Sequence, residues 1–279
     1  MSRIHIVTDS TSDLRQEVLK ELDVHMVPLS IQIGDKTYLD RVDLEPEPFL
    51  ELMAKSDELP KSSQPAPGVF KELYDELGKD GGQVLSIHMT GGMSGTVESA
   101  RAAAELTDTD VTVIDSRYIS YALAFQVIEA ARMAKNGNSM EEIVARVDEI
   151  RRNTKLYVVV DTLDNLVKGG RIGKGRAMVG SFLKIKPIAS LDDGEYTPVA
   201  KARSHKKVVD YLYEDFIERT KGKIVKGVGL VHANGLAMAE PLRQRIIDSG
   251  FTDTKFDFTT PVISTHTGIG AIGFMFYTE

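Results

Sequence analysis

The sequence predicts an α/β protein of two domains, with residues 1–153 on a parallel sheet and residues 154–279 on a mixed sheet. Three observations carry this reading. Through the first half, short apolar runs alternate with helix-patterned segments, and such alternation calls for a parallel sheet covered on both faces. The second half reads differently, because two of its strand-patterned runs are joined through Asp193-Gly194, a strong hairpin signal. The chain's 279 residues, 42 % of them hydrophobic, suffice for two ordinary cores or one large one.

The elements follow in order. "RIHIVTD" is a strand carrying Ile4, Ile6 and Val7. "STSDLRQEVLKEL" is a helix with Ser12 as its expected N-cap and Val18, Leu19 and Leu22 at helical spacing. "VHMVPLSIQIG" reads as a second strand in which Pro28 marks an edge or a bulge. "PGVFKELYDELGKD" opens on Pro67 and places Phe70, Leu73, Tyr74 and Leu77 on one helical face. "QVLSIHM" is a buried strand, "SGTVESARAAAEL" a helix and "VTVID" a strand. "ISYALAFQVIEAARMAKNG" is a long apolar helix ending at Gly137, and "SMEEIVARVDEIRRN" is a helix with Ser139 and Glu142 at capping-box positions. From "KLYVVVD" onward the second domain reads as "KPIASLDDGEYTPVAKA", "VKGVGLVHA", "TKFDFTTPVIS" and "GAIGFMFYTE" strands, with helices near 206–221 and 235–249.

Composition narrows the function. Net charge is −7 and no basic block carries interleaved aromatics, which argues against a nucleic-acid partner. There is no cysteine, hence no thiolate chemistry and no cysteine-based zinc site. The six histidines lack ligand spacing, so no metal is expected. No run approaches the ~18 apolar residues of a membrane span, and "MSRIHIVTDS" enters a strand without an apolar leader. The expectation is a cytoplasmic protein without cofactor.

Four segments concentrate special residues. "KSSQPAPG", Lys61 to Gly68, sets Ser62, Ser63 and an amide on a stiff loop; alone it reads as a helix entry. "MTGGMSGT", Met89 to Thr96, joins a strand to a helix, and its glycines with Ser94, Gly95 and Thr96 offer backbone N–H groups and a helix N-terminus to an anion. "KGGRIGKG", Lys168 to Gly175, is not a phosphate-binding P-loop, because Lys168 stands at the first glycine position and Gly175 at the Ser/Thr position. Its Arg171 suits planar recognition of a carboxylate or phosphate. "HTGIGAIG", His266 to Gly273, spells a dinucleotide glycine fingerprint, but no helix or acidic residue can follow it before the chain's last strand. His266, with Thr265 and Thr267, is a polar cluster there.

"GMSGT" also approaches the nucleophile elbow G-x-S-x-G, with Thr96 in place of the last glycine. Ser94 as nucleophile, Asp161 or Asp164 as acid and His266 as base would have hydrolase order along the chain, giving an acyl-ester hydrolase as a second reading. A phosphorylated-metabolite binder using the same anion loops is a third.

Taken together, "DSTSDL", "SSQPAPG", "SGTVESA", "IDS", "NLVKGGRIGK", "IKPI" and "HTGIGA" resemble, in order and spacing, the DegV family of bacterial lipid-binding proteins. The chain departs from the family's usual residues at Ser62, Glu98, Tyr121-Ala122 and Ile269. The resemblance implies one long-chain fatty acid held between two domains. It also implies a role as the acyl-carrying subunit of a fatty acid kinase, whose separate ATP-dependent subunit phosphorylates the carboxylate. Carried onto this chain, Ser62 and Ser94 become carboxylate partners, with Arg171 and His266 beside the head group and Ser63, Gly95, Thr96 and Thr267 completing the site. "ALAFQVIEAARM" and "AMVGSFLKIKPI" are the expected tail walls.

Overall fold

The computed structural model describes residues 3–56, 58–178 and 185–279. From the N-terminus, β1 (Ile4–Asp9) leads through a 3-10 turn at Ser10–Ser12 into α1 (Gln16–Leu22), β2 (Val24–Val27), β3 (Ser30–Ile33), β4 (Lys36–Leu39) and α2 (Pro46–Lys55). β5 (Lys61–Ser63), α3 (Pro67–Gly78), β6 (Gln83–His88), α4 (Thr96–Ala104), β7 (Val111–Asp115), α5 (Ser120–Lys135) and α6 (Met140–Asn153) follow. Then come β8 (Thr154–Val159), α7 (Asp164–Lys168), β9 (Lys186–Ser190), β10 (Thr197–Ala202) and α8 (His205–Thr220). β11 (Val225–His232), α9 (Leu236–Asp248), β12 (Thr254–Phe258), α10 (Pro261–Thr267) and β13 (Ile272–Thr278) complete the order.

The first sheet runs β2-β1-β6-β7 and every pairing in it is parallel. The second runs β10-β9-β8-β13-β11-β12, antiparallel except where β11 meets β12. A small antiparallel sheet, β4-β3-β5, is the third. The α/β class, parallel first and mixed second, therefore stands as the sequence predicts.

Strand alternation builds the layers. On β13, Phe274 and Phe276 join one core with Leu212, Phe216 and Leu242 of α8 and α9. Met275 and Tyr277 turn the other way, into a core shared with α5 and with Ile6 and Leu85 of the parallel sheet. α5 thus lies between the two large sheets, packing on β1 and β6 on one side and β8, β11 and β13 on the other. Ten of its sixteen residues are buried, which explains why its sequence is apolar nearly all round. Phe70, Tyr74, Ala100 and Ala103 of α3 and α4 cover the far face of the parallel sheet.

Four expectations need correction. Ser12 caps no helix: Ser10–Ser12 is a buried turn capped by Asp9, whose side chain accepts from Thr11 N, and α1 starts only at Gln16. The "VHMVPLSIQIG" run is two strands in two sheets, because Pro28 cannot donate to a ladder and the chain changes sheets there. "TKFDFTTPVIS" is a strand only to Phe258; Thr260 then caps α10 by accepting from Ile263 N, with Pro261 in the first turn. Ser62 and Ser63 belong to strand β5 rather than a loop. The Ser139–Glu142 capping box forms as expected. Part of the expected tail wall "AMVGSFLKIKPI", residues 179–184, lies outside the described residues.

Candidate functional site

A narrow cleft of about 40 Å3 opens where β5, the loop after β6, the loop after α7 and α10 converge. Ser62, Gln64, Ser94, Arg171, His266 and Thr267 line its polar side. Met89, Met93, Leu166 and Val262 line the rest. Beside it lies a second, narrow chamber of about 20 Å3, walled by Leu156, Val231, Ile272 and Met275 of the mixed sheet and by Ser120 of α5. Ile119, Val158, Ile263 and Thr267 border both spaces. The cleft is thus a largely apolar vestibule with one polar side, and it adjoins an apolar chamber set among the mixed sheet, the start of α5 and α10. A wider depression lined by Arg15, Arg41, Glu45 and Asp257 has mainly polar walls and suits no apolar ligand.

Each polar residue arrives from a different element. β5 pairs with β3, Ser62 opposite Ile31, and strand alternation turns Ser62 inward while Ser63 faces solvent. α10 carries His266, whose Nε2 lies 2.7 Å from Ser62 Oγ. Burial, then the charge of Arg171, lowers the His266 pKa to about 4, so the imidazole is neutral at ordinary pH. Its Nδ1 is buried without a hydrogen-bond partner and packs on Gly169, where a Cβ would come within 2.3 Å. An orphaned acceptor is tolerated better than an orphaned donor. The proton therefore belongs on Nε2, which donates to Ser62 Oγ and leaves the Ser62 hydroxyl proton to point at a ligand.

Ser94 precedes α4. Its Oγ lies 2.9 Å from Thr96 Oγ1 and accepts from Thr96 N, so the start of α4 is tied to this serine. Thr96 itself is buried behind Ser94 and does not line the cleft, nor does Gly95, where a side chain would strike Gln64. Thr267 lines the cleft, though its hydroxyl donates within α10 to Ile263 O. Arg171 spans the molecule: Nε donates to Met93 O at 3.0 Å and Nη1 to Gly169 O at 2.6 Å. Among the described residues its other N–H groups have no further hydrogen-bond partner.

The hydrolase arrangement is not assembled. His266 pairs with Ser62 rather than Ser94, and its Nδ1 meets no carboxylate. Asp161 instead binds Lys186 at 2.5 Å, and Asp164 lies exposed at the start of α7. A pKa near 4 also makes His266 a weak base.

Sequence reasoning missed two fully buried acids that seat α10. Asp13 accepts from Thr260 N at 2.8 Å, from the Thr259 hydroxyl at 3.1 Å and from the Ser120 hydroxyl. Asp40 accepts from Val262 N at 3.3 Å. Burial raises Asp13 to about 6 and Asp40 to about 7. Only the fold reveals them, since Asp13 and Thr260 stand 247 positions apart.

Among the described residues, no helix is long and apolar enough to cross a membrane, and no group of three or more metal-binding side chains is placed to hold an ion. The family model "Uncharacterised protein, DegV family" matches residues 3–279. The chain is 44 % identical over 281 residues to a DegV domain-containing protein of Listeria monocytogenes, covering 100 % of each. It is similar to the solved structure of a fatty-acid-binding DegV family protein from Thermus thermophilus, with a TM-score of 0.93 and 32 % identity over 99 % of this chain and 100 % of that one. It is likewise similar to DegV, a fatty acid binding protein from Bacillus subtilis, with a TM-score of 0.91 and 34 % identity over 100 % of both chains. With the family match and the similarity both running nearly end to end, this chain belongs to the DegV family.

Proposed function

We propose that this protein binds one long-chain fatty acid where its 1–153 and 154–279 domains meet, and presents the carboxylate to a separate ATP-dependent kinase subunit that makes the acyl phosphate. The observation that carries the reading is an apolar chamber adjoining the cleft that holds Ser62, Ser94, Arg171 and His266, with Ile119, Val158, Ile263 and Thr267 bordering both spaces. A polar group beside apolar walls suits an amphiphile. The fatty acids bound by the Thermus and Bacillus proteins support it.

The physical terms agree. Burying an acyl chain is worth ~0.8 kcal/mol per CH2, about 12 kcal/mol gross for roughly fifteen groups, less the costs of association and ordering. The tail supplies affinity. The Ser62 hydroxyl, freed by the His266 tautomer, and the Ser94 hydroxyl orient the carboxylate through charge-assisted hydrogen bonds. With His266 uncharged, the acid is held without a second buried cation beside Arg171.

The kinase role rests on the family resemblance and on the loop that bears Lys168, Arg171 and Lys174, which is richer in cations than one carboxylate requires. Organic extraction of the purified protein is expected to release close to one fatty acid per chain. Recovery of none, together with no uptake of added palmitate, would discard the reading.

A further inference from the structure

Tyr196 is the largest polar side chain on the cleft that the functional reading leaves without a task. It lies between the 3-10 turn at Asp192–Gly194 and β10, and it is 1 % exposed. Its hydroxyl is buried and has no hydrogen-bond partner among the described residues. Buried tyrosine hydroxyls ordinarily find a partner, because an unpaired one loses its hydration for nothing. Burial also raises its pKa, so the group stays a neutral phenol able to donate.

The loop with Arg171 is folded around this residue. Lys174 N donates to Tyr196 O at 3.1 Å. Gly173, at φ +50, would press a Cβ to 2.9 Å from Tyr196 O, and Gly175 lies flat on the ring, where a Cβ would sit 3.0 Å from Cδ1 and Cε1. The preceding turn docks on the opposite region, where Thr90 Oγ1 donates to Gly194 O at 2.9 Å. The ring is thus clamped in place while its hydroxyl is left unanswered, an arrangement suited to a ligand contact.

The position along the cavity selects the ligand atom. Tyr196 borders the vestibule with Ser62, Ser94 and Arg171, and it does not border the apolar chamber. We infer that the Tyr196 hydroxyl is a third donor to the bound acyl carboxylate, beside Ser62 and Ser94. This rests on the acyl-binding reading above and extends it to a residue with a stated bond. An oxygen of the ligand accepts the phenolic proton, and the cost of the buried hydroxyl is recovered only in the loaded protein.

That asymmetry gives the test. Delipidated parent and Tyr196→Phe are titrated calorimetrically with palmitate and with 1-hexadecanol, which has the same chain length but no charge, and the melting temperature of each delipidated protein is recorded. Tyr196→Phe is expected to bind palmitate about tenfold to a hundredfold more weakly, to lose much less for hexadecanol, and to melt no lower than the parent when delipidated. A tyrosine that only fills space predicts palmitate affinity within about threefold of the parent, and that result overturns the inference while leaving fatty acid binding intact. Equal losses for both probes overturn it too, since they report a distorted cavity. A parent that takes up neither probe overturns both this inference and the acyl-binding reading.

Discussion

Ser94 and Arg171 face the same cleft but differ in what they should do when removed. Ser94 is anchored to the start of α4 and offers a hydroxyl. Truncation in Ser94→Ala should weaken head-group fixation by ~1.5–3 kcal/mol, the range for hydrogen bonds to charged groups, while the tail still binds. Titration with palmitate measures this. A fluorophosphonate probe checks the opposing view: stoichiometric labelling of Ser94, with esterase activity lost in Ser94→Ala, would replace the carrier by a hydrolase. Arg171 spends two N–H groups on carbonyls, one of them across the cleft. Preorganised cations matter most where charge develops during reaction. Arg171→Ala should therefore retain lipid yet support little acyl-phosphate formation with kinase subunit and ATP, and Arg171→Lys should recover only part, lacking the planar fork. Lipid quantitation beside a phosphorylation assay on one preparation decides it; loss of lipid in Arg171→Ala rejects the assignment. Ser94 and Arg171 stand out in the sequence because hydroxyls, cations and glycines crowd their short segments, whereas Ser62 and His266 come to the cleft only through the family resemblance. Asp13, Asp40 and Tyr196 do neither, since what marks them is burial by partners remote in sequence.

At the scale of elements, β13 shows how one strand serves two purposes. Met275 walls the apolar chamber, while Phe274 on the opposite face packs against Phe216 and Phe276. Phe274→Ala should cost about 3–5 kcal/mol of stability and leave the mass profile of copurified acyl chains unchanged. Met275→Phe should shift that profile to shorter chains, with a smaller stability cost of ~1–3 kcal/mol from overpacking. Denaturant melts beside mass spectrometry of extracted lipid separate the two faces; an unchanged profile in Met275→Phe removes Met275 from the tail wall. This alternation was readable in "FMFYTE", whereas α10 was hidden. Its β-branched Val262, Ile263, Thr265 and Thr267 favour a strand, and the competing start signal, Thr260 followed by Pro261, prevails because Asp13 and Asp40 bind the first N–H groups. α2 escaped notice although Pro46 opens it and Phe49, Leu50 and Met53 recur at helical spacing.

Across the whole molecule, Asp13, after β1 of the parallel sheet, and Asp40, after β4 of the small sheet, both tie the N-terminal region to α10, and their protonation links the seam to pH. Both are raised above the usual carboxylate value of 3.8, to about 6 and about 7. The folded state thus keeps protons that the unfolded chain releases. The stability they contribute is full below pH ~4 and is lost as pH rises through 6 to 7, on the order of 3 kcal/mol per group. His266, lowered from 6.5 to about 4, acts oppositely, its contribution being full above pH 6.5 and lost as pH falls from there through 4. Comparison with Asp13→Asn and Asp40→Asn isolates the carboxyls. The parent should lose more melting temperature between pH 5 and pH 8 than either variant, and equal slopes would refute the linkage.

The position of β13 bears on how the protein is made. It is the last strand in sequence order yet lies inside its sheet, between β8 and β11. Until β13 is in place, β10-β9-β8 and β11-β12 are separate fragments, each with an unpaired edge where β13 will pair. The tail chamber cannot close before then, because Met275 and Ile272 supply part of its wall. The β8 edge waits from residue 202 and the β11 edge from residue 232, so both stay open to unwanted pairing until β13 inserts between them, and the insertion of β13 also completes the wall against which an acyl tail would pack.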